Sequence, residues 1–243
     1  AKPVLSSNNT IVKLDDLAFR WPKSQRNTLE IAELSINRGE SLFLKGQSGS
    51  GKTTLLSLLG GINIATGGRV EVLGQDIAAM KPRQRDQFRA DHIGFIFQLF
   101  NLIPYLSVVD NILLACRFSE KRAKKVLLKG STLIDEAHRL LEHLGLDPNE
   151  LEHKPVLELS VGQQQRVATA RALIGGPDLI IADEPTSALD ADAQKQFLQL
   201  LNQECQAFGS TLVFVSHDSS LESQFQHTLE LSDINKVVAE ASL

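Results

Sequence analysis

Residues 41–61 read SLFLKGQSGSGKTTLLSLLGG, and the chemistry of the chain is arranged around them. The run SLFLKG, residues 41–46, predicts a short buried strand ending in glycine. Leu55, Leu56, Leu58 and Leu59 predict an apolar helix, stopped by Gly60 and Gly61. Between them, Gly46-Gln47-Ser48-Gly49-Ser50-Gly51-Lys52-Thr53 matches G-x-x-x-x-G-K-[ST] in full. A strand before and a helix after are what a phosphate-binding loop requires. Glycines at 46, 49 and 51 let backbone N–H groups turn toward phosphate oxygens, and the positive end of the helix adds to the attraction. Lys52 is placed to bridge the β- and γ-phosphates, and the Thr53 hydroxyl to coordinate Mg2+. Thr54 closes the stretch expected to touch nucleotide.

Outward from this loop the chain alternates strands and helices. Residues 11–21 and 29–37 read as early strands. Short strands follow at 69–74 and 92–98. From 99 to 155 the character is helical, with Leu133, Ala137, Leu140, Leu141 and Leu144 at helical spacing. We expect an inserted helical lobe there, between core segments 11–98 and 156–243 of a single domain. Beyond it come a helix (161–173), an apolar strand (178–183), a helix (191–207), a strand (211–216) and a last hairpin (227–239). Alternation of this kind implies a parallel sheet covered on both faces.

The 243 residues carry a net charge of −4, which gives no global pull toward nucleic acid. Cys116 and Cys205 are the only cysteines, so a disulfide framework or zinc site is not expected and a cytosolic setting fits. No stretch approaches the ~20 apolar residues that cross a bilayer, and the first residues lack the apolar core of a secretory signal. Work at a membrane would then need a partner. The cations Arg117, Lys121, Arg122, Lys124, Lys125 and Lys129 are expected to form a solvated helical face.

Leu179-Ile180-Ile181-Ala182-Asp183-Glu184 is an apolar run ending in two acids, at the strand end where α/β sheets bind ligands. Asp183 is expected to hold Mg2+, and Glu184 to orient the attacking water.

Leu159-Ser160-Val161-Gly162-Gln163 resembles the L-S-G-G-Q signature of ABC ATPases, and QQRVATARAL after it continues that pattern. Other family motifs follow in order. Gln98 resembles the Q-loop glutamine, Ser187-Ala188-Leu189-Asp190 the D-loop, and His217 the switch histidine. Trp21 stands where the family places an adenine-stacking aromatic. Valine at 161 departs from the commonest glycine. The resemblance covers roughly residues 11–232. It implies an α/β P-loop NTPase (RecA-like) core with a parallel sheet, an N-terminal antiparallel β subdomain and an inserted α-helical subdomain. It implies ATP and Mg2+ as ligands. Glu184, His217, Lys52 and Gln98 would be catalytic, and Thr53, Gln98 and Asp183 would hold metal. Ser160, Gly162, Gln163 and Asp190 would contact nucleotide from a second copy, in a head-to-tail homodimer around two ATP.

Asn101-Leu102-Ile103-Pro104 followed by Ser107-Val108-Val109-Asp110-Asn111-Ile112 resembles the lipoprotein-release, macrolide-exporter and cell-division group, though amino-acid importers share the pattern. A separate membrane permease is the implied partner, with the chain peripheral on the cytoplasmic face. The apolar segment Leu99–Tyr105 is expected either to meet that permease or to pack into the lobe. A soluble ABC ATPase acting on nucleic acid or ribosomes is the alternative. Such proteins commonly carry two cassettes or a long coiled-coil insert, and this chain has neither. A P-loop kinase would not need the motif at 159–163.

Overall fold

The computed structural model describes residues 9–237. β1 (Thr10–Phe19) alternates, burying Val12, Leu14, Leu17 and Phe19. It pairs antiparallel with β2 (Leu29–Asn37), Leu14 facing Leu34 and Phe19 facing Leu29. β3 (Ser41–Lys45) departs for a second sheet and feeds α1 (Lys52–Leu59). β4 (Gly67–Val72) returns to β1, and β5 (Gln75–Asp76) completes the order β2-β1-β4-β5. The β1–β4 pairing is irregular between Asp15 and Ala18. Gly68 makes this approach possible: its φ is 71°, and a Cβ there would lie 2.0 Å from the Asp16 carbonyl oxygen. The first strand ends at Phe19, two residues before the expected end, so Trp21 stands beyond the sheet.

The second sheet is parallel throughout. Its order is β6 (Ile93–Ile96), β7 (Leu179–Asp183), β8 (Thr211–Val215), β3 and β9 (His227–Glu230). Successive side chains go to opposite faces. Leu42, Leu44, Ile181, Val213 and Val215 pack with α1 and the antiparallel sheet. Phe43, Ile180, Ala182, Leu212 and Phe214 pack against helices on the other side. Both faces are covered, which is why these strands read as continuous apolar runs rather than alternating ones. A fully buried Leu or Phe contributes about 1.5–3 kcal/mol, so this doubly buried sheet is the main anchor for the loops at its carboxyl edge.

The helices are α2 (Pro82–His92), α3 (Val108–Phe118), α4 (Glu120–Leu128), α5 (Leu133–His143), α6 (Pro148–Leu151), α7 (Val161–Leu173), α8 (Ala191–Phe208) and α9 (Leu231–Ile234). The apolar faces of α3, α5 and α7 share one core with the sheet. Two expectations are corrected. The hairpin over 227–239 is absent among the described residues: β9 pairs parallel with β3, and α9 follows it. Residues 238–239 lie outside the described range. The basic run is not wholly solvated, because Arg122 is buried. Its guanidinium donates to the carbonyls of Ile174 (2.8 Å), Ala172 (2.7 Å) and Arg171 (3.3 Å), which end α7. Helix-terminal carbonyls need donors, and this arginine supplies them from α4. Burial brings its pKa down to about 10.

Candidate active site

The phosphate loop joins β3 to α1. Gly49 (φ 79°) and Gly51 (φ 100°) are left-handed, a conformation that favours glycine. Gly51 occupies the N-cap of α1 and offers no capping side chain. The first-turn N–H groups of α1 are thereby left for a ligand. Lys52 folds back over the loop, donating to the carbonyls of Gly46 and, at 3.0 Å, Gln47. The Ser50 hydroxyl is buried and has no hydrogen-bond partner among the described residues. A Cβ on Gly46 would come within 2.8 Å of it. An orphaned hydroxyl, uncapped N–H groups and an ammonium held only by carbonyls are the donor set a polyphosphate needs.

Thr53 and Asp183 meet across the sheet edge. The Thr53 hydroxyl donates to Asp183 Oδ2 at 3.0 Å. Burial pushes the Asp183 carboxyl above its ordinary range; Thr53 opposes the shift and the charge of Glu184 adds to it. A hydroxyl and a carboxylate side by side, all oxygen, suit Mg2+. Glu184 follows with φ 47°, left-handed for a residue that is not glycine. Its N–H donates to the Val215 carbonyl at 2.9 Å, and its Oε2 lies 2.9 Å from His217 Nδ1. The backbone strain is held by β8, and it turns the carboxylate toward the histidine.

The contacts therefore join Lys52 to Gly46 and Gln47, Thr53 to Asp183, and Glu184 to His217. They do not join these to the other expected site residues. Ser160 caps α7: its hydroxyl accepts from the Gln163 N–H (3.2 Å), while Gln163 Oε1 accepts from the Ser160 N–H (2.9 Å). Val161 begins the helix and is exposed. A Cβ on Gly162 would meet only Leu189, at 3.6 Å, so no intrachain contact demands glycine there. Asp190 caps α8, accepting from the Ala193 N–H at 2.8 Å. Gln98 is exposed in a turn after β6. Trp21 is 43% exposed and meets Phe19 edge-on, with ring centroids 5.0 Å apart.

Two supporting residues make contacts that a reading of motifs does not show. Asn235, buried near the end of the described chain, accepts from the Glu30 N–H (2.9 Å) and donates to the Thr28 carbonyl (3.1 Å) and toward that of Ser50 (3.5 Å). It fastens the phosphate loop to β2. Gln165 of α7 donates to the carbonyl of Pro185, next to Glu184.

A family model described as ABC transporter matches residues 29–187. The chain belongs to the ABC transporter family. It is an ATP-hydrolysing, ATP-binding subunit of that family. The lipoprotein-releasing system ATP-binding protein LolD of Francisella tularensis subsp. tularensis (strain SCHU S4) is 36% identical over 230 residues, covering 95% of this chain and 94% of LolD. The macrolide export ATP-binding/permease protein MacB of Rhodopirellula baltica is 40% identical over 201 residues, 82% of this chain but 28% of MacB. The dimeric ATP-binding cassette MJ0796, solved in a post-hydrolysis state with ADP and Pi, superposes with a TM-score of 0.79 at 31% identity, covering 90% of this chain and 94% of that one. These ABC relatives share the α/β architecture, and the parallel and antiparallel sheets described above are those of a P-loop NTPase cassette.

Proposed function

We propose that two copies of the chain close head to tail around two MgATP and drive a membrane permease. The carrying observation is the division of the site. Lys52, Thr53, Asp183, Glu184 and His217 gather at one sheet edge. Ser160, Gly162 and Gln163 form a capped helix start that no hydrogen bond or ion pair ties to them among the described residues. An uncrowded glycine and a helix N-terminus facing outward suit the γ-phosphate held by another copy. MJ0796 is dimeric in its solved structure, which supports this.

In this site the loop residues Gly46–Thr54 cradle the phosphates, and Lys52 leaves its carbonyl partners to neutralise them. Trp21 stacks on the adenine. Thr53, Asp183 and Gln98 hold Mg2+, whose charge offsets that of the phosphate oxygens. Glu184 polarises the attacking water and His217 orients it. Asp190 faces the other copy's nucleotide. Residues 99–155 act as the lobe that moves on closure, which excludes water.

The permease seats in a cavity of about 570 Å³ where α2, β6 and α3 meet. Ile62, Phe95, Phe97, Leu114 and Phe118 line it, and Phe118 is 70% exposed. Leu99 and Tyr105 are exposed nearby, while Phe100 turns inward and Leu102 packs on the core. No helix among the described residues is long and apolar enough to cross a membrane. A peripheral place on the cytoplasmic face, beside a permease, is the arrangement proposed. The names LolD and MacB favour export or extraction over action on nucleic acid.

The test is complementation between copies. Lys52→Ala damages one half-site and Ser160→Arg the other. In a head-to-tail dimer, a mixture of the two contains one intact composite site. Turnover of the mixture above the sum of the separate variants supports the arrangement. Turnover no greater than that sum, with ATP leaving the protein monomeric, refutes it.

A further inference from the structure

The turn that carries Gln98 runs into two left-handed residues, Phe100 and Asn101, of which the asparagine tolerates that backbone and the phenylalanine does not. The Phe100 N–H donates to the Phe97 carbonyl at 3.0 Å, enclosing Gln98 and Leu99. Phe100 and Asn101 then follow one another at φ 58° and 49°. Left-handed backbone is disfavoured for L-residues, and a bulky residue such as Phe rarely adopts it. Two in succession need an external hold.

One guanidinium supplies it. Arg171 donates through Nη2 to the Phe100 carbonyl at 2.6 Å and through Nη1 to the Asn101 carbonyl at 2.7 Å. This planar fork presents two N–H groups in a fixed geometry to two neighbouring carbonyls, where a lysine ammonium is a single rotatable point of donors. Arg171 lies on α7, eleven residues along from Ser160, a rise of about 16 Å. Between them, Gln165 holds Pro185 beside Glu184. A single helix therefore touches the Gln98 turn, the Glu184 loop and the signature serine. Arg171, Asn101 and Phe97 also line the cavity at α2, β6 and α3.

We infer that Arg171 is a positioning residue that clamps the Gln98 turn in its left-handed form and mounts it on the helix that presents Ser160. A partner seated in the cavity then acts on Gln98 and Ser160 together, through the two carbonyls and the helix between. The inference rests on the assignment of Gln98 to the ATP site. The competing role for Arg171 is ordinary packing of α7.

The test uses the full chain. Turnover is measured for wild type, Arg171→Ala, Arg171→Lys and Gln98→Ala, with nucleotide binding followed by the fluorescence of the single tryptophan, Trp21. In parallel, spin labels on Leu99→Cys and Val161→Cys, both exposed sites, report the distance between turn and helix; the native Cys116 and Cys205 are buried. R171A is expected to lower kcat by about 10–100-fold with the nucleotide KM unchanged, since small misplacements cost that much. Its distance distribution is expected to broaden. R171K, which keeps the charge but lacks the fixed fork, falls between. Wild-type kcat in R171A, or a distribution as narrow as wild type, overturns the clamp. If R171A does not fold, R171K decides on the same two readouts. Wild-type turnover in Q98A refutes the assignment of Gln98 and leaves the distance measurement to judge the clamp alone.

Discussion

His217 Nδ1 lies 2.9 Å from Glu184 Oε2, with the carboxylate mostly buried and the imidazole 71% exposed. The pair spans the step from the sheet edge to solvent. Among the described residues the carboxylate has His217 as its one hydrogen-bond partner, which leaves its other oxygen for water. Glu184→Gln keeps size and backbone but removes the base. Loss of a positioned base costs on the order of 10²–10⁴-fold in rate. E184Q is therefore expected to bind MgATP, turn it over slowly and run as a dimer in size-exclusion with ATP. Unimpaired turnover and a monomer peak together would sink the assignment.

Trp21 packs at right angles to Phe19 and stays partly exposed. Stacking on a base is worth about 1–3 kcal/mol, and 1.4 kcal/mol is about tenfold in affinity. Trp21→Ala is expected to raise KM for ATP by about 10-fold or more with kcat kept. GTP should suffer equally, because every base has a stacking face. Equal ATP affinity for the two proteins, by titration calorimetry, makes Trp21 a packing residue only.

Asp183 gives a pH dependence. Its carboxyl is raised by burial, so the folded chain binds a proton more tightly there than the unfolded chain does. For a raised group, stability is fullest below the unfolded pKa and is lost as pH rises through the folded one. At neutral pH, without Mg2+, the ionised Asp183 is therefore a liability. Asp183→Asn is expected to raise the Tm of nucleotide-free protein at pH 7 and to abolish Mg2+-dependent turnover. The gain should shrink as pH falls through the window just above the ordinary carboxylate range. A Tm gain independent of pH would contradict this cause.

Phe118 offers a test of the docking cavity that spares the chemistry. It is exposed on the wall of a cavity that Lys52, Asp183 and Glu184 do not line. Phe118→Asp is expected to strip the protein from membranes in fractionated cells while purified ATPase activity stays at the wild-type level. Retained membrane association would move the permease elsewhere on the surface.

The strand, loop and helix around 46–54 and the strand that ends at Asp183 were legible because each pattern lies within one short run. The helix 161–173 was legible for the same reason, with the Ser160 and Gln163 cap announcing its start. α2 was not, because Phe88 is its only buried residue and its charged sequence carries no apolar period. Arg122 sat in a basic run, and nothing in that run shows that its guanidinium meets the end of α7. β9 read as half a hairpin because a short alternating strand does not reveal its partner, which here is β3. Arg171, Gln165 and Asn235 act across long separations in sequence, on backbone carbonyls that no motif names.

Asn111 is another such residue, and it makes the strongest stability test. Its side chain is fully buried on α3. Oδ1 accepts from the Ile103 N–H at 2.7 Å, and Nδ2 donates to the carbonyls of Ile103 (3.1 Å), Leu106 (3.3 Å) and Ser107 (3.1 Å). This one amide makes four of the hydrogen bonds that hold the segment between Asn101 and α3. Asn111→Ala leaves the Ile103 N–H and the Leu106 carbonyl without these partners, while the carbonyls of Ile103 and Ser107 keep the N–H groups of Leu106 and Asn111; each lost partner costs about 1–3 kcal/mol. Part of that is regained by water entering the loop, so we expect a loss of about 2–4 kcal/mol. For a domain of this size, 1 kcal/mol shifts Tm by roughly 2–4 °C. Asn111→Asp keeps the acceptor for Ile103, loses the donors and adds a buried charge, and should be no more stable than N111A. Thermal unfolding of the three proteins decides the matter. A Tm for N111A equal to wild type would mean that the loop is held by its apolar contacts, Phe100 and Leu102, and not by the amide.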